Sequence, residues 1–98
     1  MEDFEQLVPN TFNEDFSIAE QFGKKAVFDT FRRCMHEWKH DYKMLTALTI
    51  VVNHRCWAWY KEDKEMSRLY ADLFYSAQQY ALDHLTTEEF RYYHRLTD

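Results

Sequence analysis

From Lys24 onward, apolar side chains recur every three or four residues in three long blocks separated by short polar breaks. That spacing places them on one face of an α-helix. Val27, Phe28, Phe31, Cys34, Met35 and Trp38 form the stripe of a helix predicted over 24–40. Leu45, Leu48, Val52, Cys56 and Trp59 form that of a second, over 42–61, with Asp41 as its N-cap. Met44, Val51 and Ala58 widen this stripe, and Ile50 and Trp57 add apolar surface on another side. Such broad coverage marks a central helix with several neighbours. Met66, Leu69, Tyr70, Leu73, Ala77, Tyr80 and His84 define a third long helix over 64–85, capped by Asp63.

The two ends read differently. Pro9 and Asn10 close an acidic lead over 1–16 that is expected to be extended. Ser17-x-x-Glu20 has the form of a capping box and Gly23 offers a left-handed stop, so one or two helical turns are expected over 17–22. Thr86-x-x-Glu89 opens a short last helix over 87–95. With 98 residues, one domain spanning 1–98 is expected. Short connections favour antiparallel neighbours. The predicted architecture is therefore all-α: an antiparallel bundle of three long helices with short helical segments at both ends.

Composition narrows the function classes. One Gly and one Pro leave too few turn residues for an all-β fold, and no Gly-rich loop is present to cradle a phosphate. The longest uncharged run, Met44 to His54, falls short of a bilayer span, and the acidic N-terminus argues against a secretory or transit leader. Cys34 and Cys56 lack CxxC spacing and sit in helix-like segments, which suits buried free thiols and a cytoplasmic location. The formal net charge is -5 and unevenly spread: residues 1–20 hold six acids and no base, whereas residues 24–43 hold six bases and three acids.

One motif carries the look of catalysis. His36-Glu37-Trp38-Lys39-His40 matches H-E-x-x-H, which on a helix lets His36 and His40 share a zinc ion while Glu37 serves as general base. At 100° per residue, however, both imidazoles fall opposite the apolar stripe, among Asp29, Arg32, Arg33 and Lys43. The extended metzincin pattern also fails, because Lys43 stands where it needs Gly and Thr46 where it needs the third His. A zinc hydrolase is therefore an alternative reading, and no cofactor is expected under the favoured one. No Ser lies in a nucleophile-elbow context.

Two surface features point to binding. Lys25, Arg32, Lys39 and Lys43 lie along one exposed side with Arg33 at its edge, a face able to neutralise phosphates, so nucleic-acid binding is a second alternative. Asp29 and Glu37 interrupt that face, and a solvated helix side explains it as well. The eight Phe, seven Tyr and three Trp exceed what a small core must hold. Trp57 with Ile50, Tyr75 with Leu82, and Tyr92 beside Tyr93 lie off the main stripes. These positions suit either coverage by Phe4, Phe12, Phe16, Phe22 and Phe90 or an interface with a protein partner or a second copy.

Three stretches carry a resemblance: Asn13-Glu-Asp-Phe-Ser-Ile-Ala-Glu-Gln-Phe-Gly23, Glu37-Trp-Lys-His-Asp-Tyr-Lys-Met-Leu-Thr46, and Leu85 through Asp98. The chain resembles small helical proteins encoded by bacteriophages and mobile elements of gut bacteria. The resemblance implies an intracellular accessory role and no particular activity, cofactor or catalytic residue. The favoured expectation is a non-enzymatic interaction or regulatory module, with Ile50, Trp57, Tyr75, Leu82 and Tyr92 as its contact residues.

Overall fold

The computed structural model describes residues 3–97, with side chains from Phe12 onward. They form α1 (Asp3–Glu20), α2 (Lys24–Trp38), α3 (Tyr42–Trp59), α4 (Lys64–His84) and α5 (Thr87–Thr97), with no strand among the described residues. Three helix starts are set by the predicted side-chain caps. Asp41 Oδ1 accepts from the N–H groups of Lys43 and Met44 at 3.1 and 3.2 Å, and Asp63 Oδ1 accepts from those of Glu65 and Met66 at 3.0 and 3.2 Å. Before α5 the capping box closes in both directions: the Glu89 N–H donates to Thr86 Oγ1 at 3.2 Å and the Thr86 N–H to Glu89 Oε1 at 3.0 Å. At Gly23 the chain turns between α1 and α2 with φ 112° and ψ 178°, a conformation that only glycine enters readily.

The all-α class is as predicted, but the bundle has four long helices and a short fifth instead of three with short pieces at both ends. The difference lies in the lead. Residues expected to be extended belong to α1, and Ser17 and Glu20, expected to open a helix, lie in its last turns. Pro9 has no N–H to offer the carbonyl of Glu5, which costs about 3 kcal/mol in a helix interior. Downstream, Phe12, Phe16 and Ala19 recur at helical spacing and are buried. Burying each phenylalanine contributes about 1.5–3 kcal/mol, enough to offset the local break. Phe4 lies outside the described side chains.

The centre of the bundle is α3, which touches all four other helices. Its residues Leu45 to Thr49, Val51 and Val52 are buried, the all-round coverage expected of a central helix. The buried hydroxyls of Thr46 and Thr49 donate to the carbonyls of Tyr42 and Leu45, each at 2.8 Å. Thr49 Oγ1 also meets the hydroxyl of buried Tyr93 at 2.9 Å, which fixes α5 across α3. α4 runs antiparallel to α3 after a short turn, and Ser67 Oγ donates to the Cys56 carbonyl at 2.8 Å. Along α4 the buried positions are Met66, Ser67, Tyr70, Leu73, Ala77 and Ala81, while Tyr80 is only half-buried and His84 is exposed. Phe28, expected on the buried stripe, is 43% exposed, and Phe22, one of the rings offered as cover for the off-stripe aromatics, is 78% exposed. Phe28 instead lies beneath the Arg32 guanidinium, 5.8 Å from its ring centroid.

One ionic node ties three helices. Glu20 on α1 accepts from Arg55 Nε at 2.9 Å and from its terminal Nη2 at 2.5 Å, a bidentate pair, and from the Tyr70 hydroxyl at 2.6 Å. Arg55 also reaches Asn13 Oδ1 at 3.4 Å. The Glu20 side chain is 7% exposed. Burial alone would raise its pKa, but the hydrogen bonds from Arg55 and Tyr70 outweigh burial and hold it below the ordinary 4.5. Glu20, in turn, raises the pKa of Arg55.

Arg55→Met should cost about 3–5 kcal/mol in urea denaturation, because it leaves the Glu20 carboxylate buried without its partner. Tyr70→Phe should cost less, about 1.5–3 kcal/mol for one hydrogen bond to a charged acceptor. The depressed Glu20 pKa contributes stability that is present above pH 4.5 and is lost as pH falls through the lower folded value. Arg55→Met should flatten that acid limb.

Alkaline titration tests the other side. Burial, and then Glu20, push the Tyr70 phenol upward, and burial pushes Tyr93 to about 12 against the opposing bond from Thr49. Their raised values favour the neutral folded form, so this stability is complete below pH 10; the part from Tyr93 disappears as pH rises through about 12, and Tyr70 acts in the same direction. Tyrosinate absorbance should show these two phenols ionising only with unfolding.

Candidate functional site

The H-E-x-x-H segment sits where α2 ends. His36 and Glu37 occupy its last turn, whereas His40 lies past Trp38 in the turn toward α3, so the predicted helix over 24–40 stops two residues early. His36, Glu37 and His40 are all exposed. Among the described residues, no three His, Cys, Asp or Glu side chains stand close enough to share a metal ion. His36 borders an open cleft of about 350 Å³ together with Phe31, Arg32, Met35, Lys39 and Tyr80. The other charged residues of that cleft, Arg32 and Lys39, are cations, which do not ligate a metal ion while protonated.

The basic face does not act as one stripe. Lys25 is held by Asp29 at 2.9 Å, a pair one helical turn apart. Arg32 covers Phe28, and Lys39 Nζ lies 5.8 Å from the Tyr80 ring centroid. Arg33 is exposed at the edge, and Lys43 belongs to the first turn of α3, beyond the bend that ends α2.

The off-stripe aromatics sort into separate places. Trp57 and Tyr75, each 63% exposed, line a groove of about 430 Å³ between α3 and α4. Small side chains make the groove possible. Cys56, Ser67 and Ala71 line it where the two backbones approach, and larger rings rise on either side. On the α3 side, Trp57 meets Tyr60 with ring centroids 5.3 Å apart. On the α4 side, Phe74 and Tyr75 meet edge to face at 5.6 Å. Lys64 Nζ lies 5.2 Å from the Tyr60 centroid, and Arg68 completes the cationic side; no carboxylate lines the groove.

Leu82 is 57% exposed, two turns along α4 from Tyr75. Ile50 is half-buried against the core. Tyr92 is half-buried at the far end of α3, edge to face with Tyr42 at 5.2 Å and beneath Arg95. The five expected contact residues therefore do not share one surface. Tyr60, Lys64, Arg68 and Phe74 join the groove without having stood out in the sequence. The signal for Tyr60, Lys64 and Arg68 is the turn at residues 60–63, which places Tyr60, just past α3, beside the first cations of α4.

No protein-family model, curated protein or solved structure matches this chain. No helix among the described residues is long and apolar enough to cross a membrane.

The two free thiols differ. Burial, reinforced by the charge of Asp15, pushes Cys34 up to about 11, whereas Cys56 is half-buried on the groove. A brief exposure to a maleimide near neutral pH should label Cys56 well before Cys34, as read by peptide mass spectrometry. Equal labelling would mean that Cys34 is not buried in the core.

Proposed function

We propose that the chain is a non-enzymatic protein-interaction module that holds a segment of a partner protein in the α3–α4 groove. The observation that carries this reading is the groove itself: aromatic walls, two cations and no carboxylate, on a chain of net charge -5. Exposed Trp and Tyr side chains that flank a recess are the residues most able to anchor a partner. A trough between two helices accepts one segment rather than a flat face, as in helix-in-groove recognition. The charges choose its chemistry. Lys64 and Arg68 suit a segment with an aromatic or aliphatic side chain flanked by Asp or Glu. An accessory role in a phage or mobile element is the setting that the sequence resemblance suggests for such a module.

A random peptide library displayed against the folded protein tests the reading. Enriched peptides should combine an apolar anchor with acidic neighbours. Their affinity should fall about tenfold or more in Trp57→Ala and in Tyr75→Ala, a loss typical of anchor residues. Lys64→Glu with Arg68→Glu should weaken the same peptides, and Leu82→Ala should leave them unaffected. Peptides that bind Trp57→Ala and Tyr75→Ala as well as wild type would overturn the assignment. So would a dimer in light scattering that depends on Trp57 and that no selected peptide dissociates, because the groove would then serve a second copy.

A further inference from the structure

We infer that the cleft between α2 and α4 is an anion site that takes a phosphate group. Arg32 and His36 on α2 and Lys39, its C-cap with helical backbone angles, stand at i, i+4 and i+7, so they share one face and span about 10 Å along the helix axis. Tyr80 and the apolar side chains of Phe31 and Met35 complete the cleft, which has a volume of about 350 Å³. It is thus a recess with room for a phosphate and its ester neighbour.

The charge balance points the same way. None of the cleft-lining residues is a carboxylate. Asp29, the acid nearest Arg32 in sequence, is engaged by Lys25 at 2.9 Å. Among the described residues, Arg32, His36 and Lys39 form no ion pair. The two cations instead lie over aromatic rings: Arg32 over Phe28 and Lys39 over Tyr80, each 5.8 Å from the centroid. Contacts of that kind orient a cation while leaving its N–H donors free for an anion. His36 offers a ring N–H in either protonation state. A chain of net charge -5 repels anions at long range, so attraction for one must come from a local cluster such as this.

Tyr80 also limits the ligand. His84 stacks on its ring at 4.1 Å between centroids and 14° between planes, and Lys39 lies over the same ring. The ring is therefore already covered and does not serve as a platform for a nucleobase. Recognition falls on the phosphate. Free polyphosphates and the backbone of a single strand both present that group.

The test uses the full chain, labelled with nitrogen-15, at low ionic strength. One arm titrates inorganic pyrophosphate and the other an oligothymidylate of about ten nucleotides. Saturable amide shifts should centre on Arg32, His36, Lys39 and Tyr80 in at least one arm. Response to pyrophosphate identifies free or terminal phosphates as the source, and response to the oligonucleotide alone identifies the phosphodiester chain; either outcome supports the cleft. Arg32→Gln with Lys39→Gln should weaken binding about tenfold or more, whereas Lys43→Gln with Lys61→Gln, an equal charge change at exposed lysines outside the cleft that leaves the Lys25–Asp29 pair intact, should alter it less than about twofold. Arg32→Lys with Lys39→Arg keeps both charges and should retain binding, which separates loss of charge from loss of fold. Equal weakening in the two glutamine pairs, or no saturable binding of either probe, would overturn the inference.

Discussion

The bidentate contact between Glu20 and Arg55 is the constraint on which the arrangement of helices depends. A buried carboxylate and a half-buried guanidinium are costly apart and acceptable only in register, so they select one way of seating α1 against α3 and α4. Tyr70 extends the choice to α4 through its hydroxyl. The pair also sets how the helices are rolled. With Arg55 turned toward α1, Trp57 lies about 200° further round α3 and faces away. With Tyr70 turned inward, Tyr75 lies about 140° from it on α4. The aromatic walls of the groove thus face outward because a polar node on the other side faces in.

Much of the fold was legible because it is written locally. The 3.6-residue stripes, the Asp41 and Asp63 caps and the Thr86–Glu89 box each involve residues within a few positions of one another. The breadth of apolar coverage on α3 announced its central place. The lead was misread because a single proline carries a strong local signal, whereas the Phe12, Phe16 and Ala19 stripe gains its weight only from a core that does not exist until the chain has folded. Glu20 was misread for the same reason: its spacing from Ser17 suggests a cap, but its partner is thirty-five residues away.

The recesses were only half legible. Trp57 and Tyr75 stood out because they fall off the core stripes, but the groove they border arises where Cys56, Ser67 and Ala71 let two helices approach, a property of the pair and not of either segment. Likewise Arg32, His36 and Lys39 share a visible face, while Tyr80 comes to them from α4 through tertiary packing. Both recesses are bordered by cations without carboxylates on an acidic chain, so its negative charge is carried by other parts of the molecule. α4 contributes to both, at opposite ends of its length, and is thus the shared frame of the two surfaces.

Gly23 carries a consequence of handedness. Its φ of 112° with ψ of 178° is the mirror image of ordinary extended backbone for a residue of opposite chirality, and nothing lies within 4 Å of the place a Cβ would occupy. The junction between α1 and α2 therefore excludes L side chains by torsion alone, without crowding. A D-alanine introduced there by chemical synthesis would sit in its own preferred backbone conformation. It would stiffen the corner by removing freedom from the unfolded chain, turning a flexible glycine into a fixed elbow.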